Sequence, residues 1–240
     1  MRKILSAVAL ALMATILGVA QNPAHKTDTD ALLAKLRSDN AEVRSEALDQ
    51  LRTDPVALRD PKVKAALVNQ LDRENQETLY AEEEDYADYV GWLVDTVAKV
   101  VDWSNPHQAC ILANSVYLAD ALADHAKVTV PCLLLRLKNT PALSRGRVVA
   151  MLVQALAKGR SELDAATIKT VQQIILSALR DPDGAVKIPT MKALGSFGGE
   201  DMIPALRVVA EKDPNPSEGY AIRRWAAEAI TAIQKRAGQR

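Results

Sequence analysis

Large rings are scarce in this chain: 240 residues include one Phe, three Trp and five Tyr. Ala and Leu dominate instead, and small or unbranched side chains suit closely packed helices. An excess of charge of either sign is also missing, with 30 basic against 30 acidic residues. A nearly neutral chain has no electrostatic footprint for nucleic acid and no polybasic segment for anionic lipid. There is no glycine-rich phosphate loop, no Gly-x-Ser-x-Gly elbow, no His-Glu-x-x-His pair and no Cys-x-x-Cys pair. The three histidines, His25, His107 and His125, are scattered; only His107 has a His or Cys three or four residues away, the single Cys110, and no third ligand type stands beside that pair. They give no reason to expect a metal site. The run Glu82-Glu83-Glu84-Asp85, with Asp88, lacks the turn-forming Gly or Asn of a calcium loop. It reads as negative charge at a helix N-terminus, where the dipole favours it. No catalytic residue and no cofactor are expected.

Cysteine is nearly absent, and the two that occur, Cys110 and Cys132, invite a disulfide if the chain is exported. Helix placement argues the other way. With Cys110 near the start of one predicted helix and Cys132 near the start of the next, a hairpin sets them at opposite ends. A helix of about 18 residues then separates them by roughly 20 Å, whereas a bond needs Cα atoms within about 7 Å. Two buried thiols are the expectation.

Export is expected from the first twenty residues. Arg2-Lys3 is a basic head, Ile4 to Val19 carries no charge, and Gly18-Val19-Ala20 supplies a small-residue exit before Gln21. This is the layout of a secretory signal peptide, and sixteen apolar residues are short for a membrane span of about 20. Cleavage after Ala20 removes two basic residues and no acidic one, leaving a formal charge of −2. Residues 21–27 then read as a flexible lead and 28–238 as one helical domain, periplasmic or extracellular, with no membrane association after cleavage.

Helical spacing runs through that domain. Leu32, Leu33 and Leu36 form a stripe behind Asp28 or Asp30; Val43, Ala47, Leu48 and Leu51 form another; Val63, Ala66, Leu67 and Leu71 a third. Over 82–103, Tyr86, Tyr89, Leu93, Val97 and Val100 share one face. Trp92 and Trp103, eleven residues apart, share a second. A helix is predicted from 107 to about 124, a short one within Val128–Leu137, and two pairs at 165–180 with 184–197 and 201–211 with 218–236. Asp-Pro clusters separate their members.

One pattern recurs: an aliphatic residue, then Arg or Lys, a small or β-branched residue three on, and an apolar residue four beyond. It occurs as Val43-Arg44…Ala47…Leu51, Val186-Lys187…Thr190…Leu194 and Ile222-Arg223…Ala226…Ile230, with a degenerate copy at Arg145. The second and third copies start 36 residues apart, a period typical of stacked helical hairpins. The stretches RSDNAEVRSEALDQL (37–51), RDPDGAVKIPTMKALGSFG (180–198) and IRRWAAEAITAI (222–233) resemble HEAT repeats of the short bacterial kind. The resemblance implies an all-α superhelix of about four to five antiparallel hairpins. It also implies bonds between turn Asp and motif cation: Asp39 with Arg44, Asp183 with Lys187, and a less defined partner for Arg223. Such repeats serve many functions, so it implies interaction and no particular reaction.

Six of the nine aromatics fall within residues 80–117, where the motif is absent. Tyr and Trp are favoured at contacts because they bury large area with a polar tip, although they also fill wide cores. Trp92, Trp103, Tyr86 and Tyr89 are therefore the candidate partner-binding residues. The expectation is a non-catalytic scaffold or adaptor that binds a protein partner. The alternative is a small exported enzyme or ligand-binding protein using the atypical 80–117 segment.

Overall fold

Helix starts in this chain are written in Asp and Asn. Asp28 accepts from the Ala31 N–H at 3.1 Å, Asn40 from Glu42 at 2.9 Å and Asp164 from Thr167 at 2.7 Å. Asn105 accepts from His107 at 3.0 Å, ahead of Pro106 at the first helical position. Each carboxylate or amide oxygen satisfies an N–H that has no partner within its own helix. The computed structural model describes residues 28–77, 84–115, 121–138, 140, 142–213 and 219–239. All regular structure among them is helical.

The elements are α1 (Thr29–Leu36), α2 (Ala41–Thr53), α3 (Pro61–Glu77), α4 (Glu84–Val100), α5 (Pro106–Asn114), α6 (Ala121–Asp124), α7 (Ala126–Leu137), α8 (Ala142–Lys158), α9 (Ala165–Ala178), α10 (Gly184–Phe197), α11 (Ile203–Lys212) and α12 (Gly219–Ala237). Short 3-10 turns at Ala57–Arg59, Arg160–Glu162 and Glu200–Met202 join some of them. The all-α expectation is met.

Packing follows chain order. Helix α1 packs on α2, α3 on α4, α5 on α7 and α11 on α12; between these pairs α1 meets α3, α2 meets α4, α8 meets α10 and α10 meets α12. Every extensive contact joins helices no more than two places apart. The expected stripes supply the core: Leu36, Leu48, Leu51, Leu67, Leu71 and Leu93 are fully buried, each contributing about 1.5–3 kcal/mol by leaving water. One close crossing needs a missing side chain. A Cβ on Gly146 of α8 would strike the Ala185 carbonyl of α10, so glycine lets the two backbones meet.

Three expectations fail in the middle of the chain. Helix α4 stops at Val100, so Trp103 sits in the following turn and shares no helical face with Trp92. The helix expected to reach about 124 stops at Asn114, where Ser115 turns extended. Arg136 of α7 donates to the carbonyls of Ala113 and Ser115 at 2.9 and 3.0 Å, holding the carbonyl end that a longer helix would have used. Cys110 and Cys132 are bonded, with Cα atoms 5.2 Å apart. The expectation of two thiols rested on a long helix. In the nine-residue α5 and the twelve-residue α7 both cysteines lie near mid-helix, where packed helices approach.

Candidate interaction surface and its supporting network

The motif cations do not pair with the turn acids of their own units. Arg44 is 5% exposed and lies 3.2 Å from the Glu74 carboxylate, which is fully buried in α3. Its other nitrogen donates to the backbone carbonyls of Ser38 and Asp39 at 2.9 and 3.0 Å. Asp39 thus contributes a carbonyl rather than a carboxylate. Lys187, 3% exposed, reaches Asp213 at 2.5 Å, while Asp183 caps α10 by accepting from Ala185 at 2.8 Å. Arg223 donates to the Asp213 carbonyl at 3.3 Å and is otherwise exposed. The degenerate copy behaves alike: Arg145 lies 3.5 Å from Asp181. Three cations in the motif position therefore meet a carboxylate 30, 36 and 26 residues further along the chain. The expected pairing of Asp39 with Arg44 and Asp183 with Lys187 is replaced by these longer links. A buried cation needs a full carboxylate to offset its desolvation; the Asp183 carboxylate is already used as a helix cap, and Asp39 lies exposed beside the capping Asn40.

Around Arg44 the network is wider. The Gln70 amide donates to Glu74, and the Arg44 guanidinium lies over the Tyr89 ring, 5.6 Å from its centre. Tyr89 is 2% exposed. Burial pushes its phenol above the usual tyrosine range and the neighbouring Glu74 adds to the shift, while hydrogen bonding to Arg44 and Gln70 opposes it. Tyr89 is therefore a core residue and not a partner contact. The sequence placed it on the main apolar stripe of its helix, which is where it lies.

The other candidate contacts separate. Trp92 is 40% exposed on α4, with the Arg52 guanidinium of α2 over its ring at 4.9 Å. Arg52 is itself held by Asp49 at 2.6 Å, so a cation–π pair and a salt bridge fix one amphipathic patch. Trp103 is half-buried against the core and stacks on His125, with ring centres 4.1 Å apart. Tyr86 lies in α4, but its side chain, Tyr80, Tyr117, and the first two residues of the acidic run are outside the described residues. His107 is exposed and His125 is engaged by Trp103. Among the described residues no group of three or more His, Cys, Asp or Glu side chains is placed to hold a metal ion.

At the other end of the chain, a groove of about 590 Å³ lies between α8, α10 and α12, floored by Leu156, Leu194, Met202 and Ile233. Its far wall is Arg236, which donates to the carbonyls of Gly195 and, at 2.8 Å, Gly198. A guanidinium closing the carbonyl end of a neighbouring helix recurs here as at Arg136. Sequence reasoning missed Glu74, Asp213, Arg136 and Arg236. Glu74 looks solvated within Asp-Arg-Glu-Asn-Gln-Glu, although its seven-residue spacing from Leu67 places it on the apolar stripe. Protein-family models give no match to this chain, and neither do curated proteins.

Proposed function

We propose that this protein is an exported, non-catalytic scaffold that binds a protein partner through a stack of HEAT-like helical hairpins. The observation that carries the reading is the set of three motif cations, each joined to an acid about one repeat later. A period of that size, linking each unit to the next, is the logic of a solenoid. The order of helix packing, with every extensive contact joining helices no more than two places apart in the chain, supports the same superhelix. Export is supported by the Cys110–Cys132 bond, since disulfides persist in oxidising compartments. Among the described residues no helix is long and apolar enough to cross a membrane. Trp92 keeps its place as a proposed contact because it is the exposed member of the aromatic group among the described residues.

The test uses oxidised protein from Gln21 onward, immobilised and exposed to envelope extract. One partner retained saturably, and less well after Trp92→Ala with unchanged melting, is the expected outcome. Absence of any saturable partner overturns the scaffold reading. Mass spectrometry of the native protein is expected to find Gln21 first; Met1 at the start of the abundant form overturns export.

A further inference from the structure

A second surface lies on α1 and α3 of the first two helix pairs, away from Trp92. There the two helices border a cleft of about 680 Å³. Its floor is small and apolar, with Leu33, Ala34, Ala65 and Ala66. Its edges carry Arg37, Lys62 and Arg73, opposed by a single carboxylate, Asp30. None of the three cations is in an ion pair among the described residues. Among the described residues the Arg73 Nε, shielded from solvent, has no hydrogen-bond acceptor. A shielded guanidinium donor without an acceptor is unfavourable, and a bound carboxylate supplies one.

We infer that this cleft holds an extended, acidic segment of a partner protein. The inference rests on the scaffold reading and names the partner chemistry for it. Charge complementarity selects acidic side chains: three cations against one carboxylate, in a mature chain whose net charge is −2. Size selects a peptide over a small anion. The volume is within the range of about 300–1,000 Å³ that encloses extended organic ligands, and inorganic phosphate leaves the alanine floor uncovered. The side chain of Asn69 on the same rim makes no bond among the described residues, so its amide is free to pair with peptide main chain. The chain's own lead, residues 21–27, contains Lys26 and no acidic residue, and so has the wrong charge to fill it.

The probe is a fluorescein-labelled peptide of about ten alternating Ala and Glu residues, titrated into the oxidised mature protein. Saturable binding that weakens with salt is expected. Lys62→Glu and Arg37→Glu, both at exposed positions, are each expected to weaken it by about tenfold, with Arg207→Glu on α11 as an unaffected control. Arg73→Gln is expected to weaken it too, and the two surface variants decide the matter if that protein fails to fold. Equal binding of an Ala–Lys peptide, indifference to Arg37→Glu and Lys62→Glu, or displacement by inorganic phosphate at matched concentration overturns the inference. Envelope capture separates this from the scaffold reading. Capture that survives both charge reversals, with no peptide binding, sinks the cleft alone. Peptide binding without any captured partner sinks the scaffold alone.

Discussion

The two ends of the molecule and its middle solve one packing problem with different chemistry. Each must fix the register of successive helix pairs. At the ends, a cation in the motif position is buried against an acid of the following unit, Arg44 with Glu74 and Lys187 with Asp213. Through residues 84–138 the motif is absent, and the Cys110–Cys132 bond and the Arg136 cap hold α5 on α7. An ion pair tolerates one geometry because each partner is costly when stranded. A covalent link needs no such complementarity, so the helices around it are free to be short and irregular. The difference teaches that departure from a repeat need not mean loss of register, provided another constraint replaces it.

Breaking an ion pair from one side gives the largest effect. Glu74→Ala strands the Arg44 charge beside the Tyr89 ring, and Asp213→Ala strands Lys187. Each is expected to lower stability by about 3–5 kcal/mol, read from urea unfolding followed by circular dichroism. Lys187→Met combined with Asp213→Leu is expected to recover most of the loss, because both desolvation penalties vanish together. A double variant no better than the single one makes the lysine indispensable for another reason.

In the middle, the corresponding lesion is reduction. The bond closes a loop of 22 residues, and removing it is expected to cost about 3 kcal/mol, lowering the melting midpoint by roughly 6–12 °C. Cys110→Ala with Cys132→Ala serves as the control that reductant then leaves unchanged. Equal melting with and without the bond places the register of α5 on α7 in Arg136 instead, a possibility that Arg136→Met isolates.

Legibility in the sequence divides along the same line. Where the motif holds, boundaries are close: 165–180 with 184–197 was expected, and helices Ala165–Ala178 and Gly184–Phe197 form. Asp and Pro mark those turns, and their local chemistry acts wherever they stand. The early end of α5 had no such signal. No Gly or Pro lies between Asn114 and Asp124; the helix stops where Arg136, more than twenty residues on, takes its carbonyls. Tertiary bonds of that kind are not written in local propensity. The same holds for the site. Arg44 and Lys187 were visible through their motif. Glu74 and Asp213 were not, because an acid in a charged helix or a turn cluster reads as solvated until the element facing it is known. The cleft between α1 and α3 was invisible for the same reason, since its cations come from two helices separated by a third.

Alkaline pH sharpens the contrast within the first network. Burial raises the Tyr89 phenol above its unfolded range. A raised value means that its contribution to stability is complete below the unfolded value of about 10. It is then lost as pH rises towards the folded value. The native protein is expected to melt progressively earlier above about pH 10, with Tyr89→Phe flattening that limb. Ultraviolet titration is the direct check: wild type and Tyr89→Phe differ by one phenolate when unfolded and by none when native near pH 11, to within about a unit. A phenolate difference in the native state at that pH means that the ring is reached by water.

The smallest effect tests whether the repeating link is a matter of spacing or of burial. Arg145 occupies the motif position and meets Asp181 at 3.5 Å, but 38% of the arginine side chain and 20% of the aspartate remain exposed. Water screens such a pair, so Arg145→Ala is expected to cost about 0–1 kcal/mol, with most of that loss disappearing in high salt. The same substitution at Arg44, by contrast, leaves the Glu74 carboxylate buried without its cation. Equal losses at the two positions mean that chain spacing alone governs the link, and that burial of the pair adds nothing to the joint between units. A loss at Arg145 that is small and salt-sensitive, beside one at Arg44 that is large and insensitive to salt, makes the shielding of the pair the source of its strength.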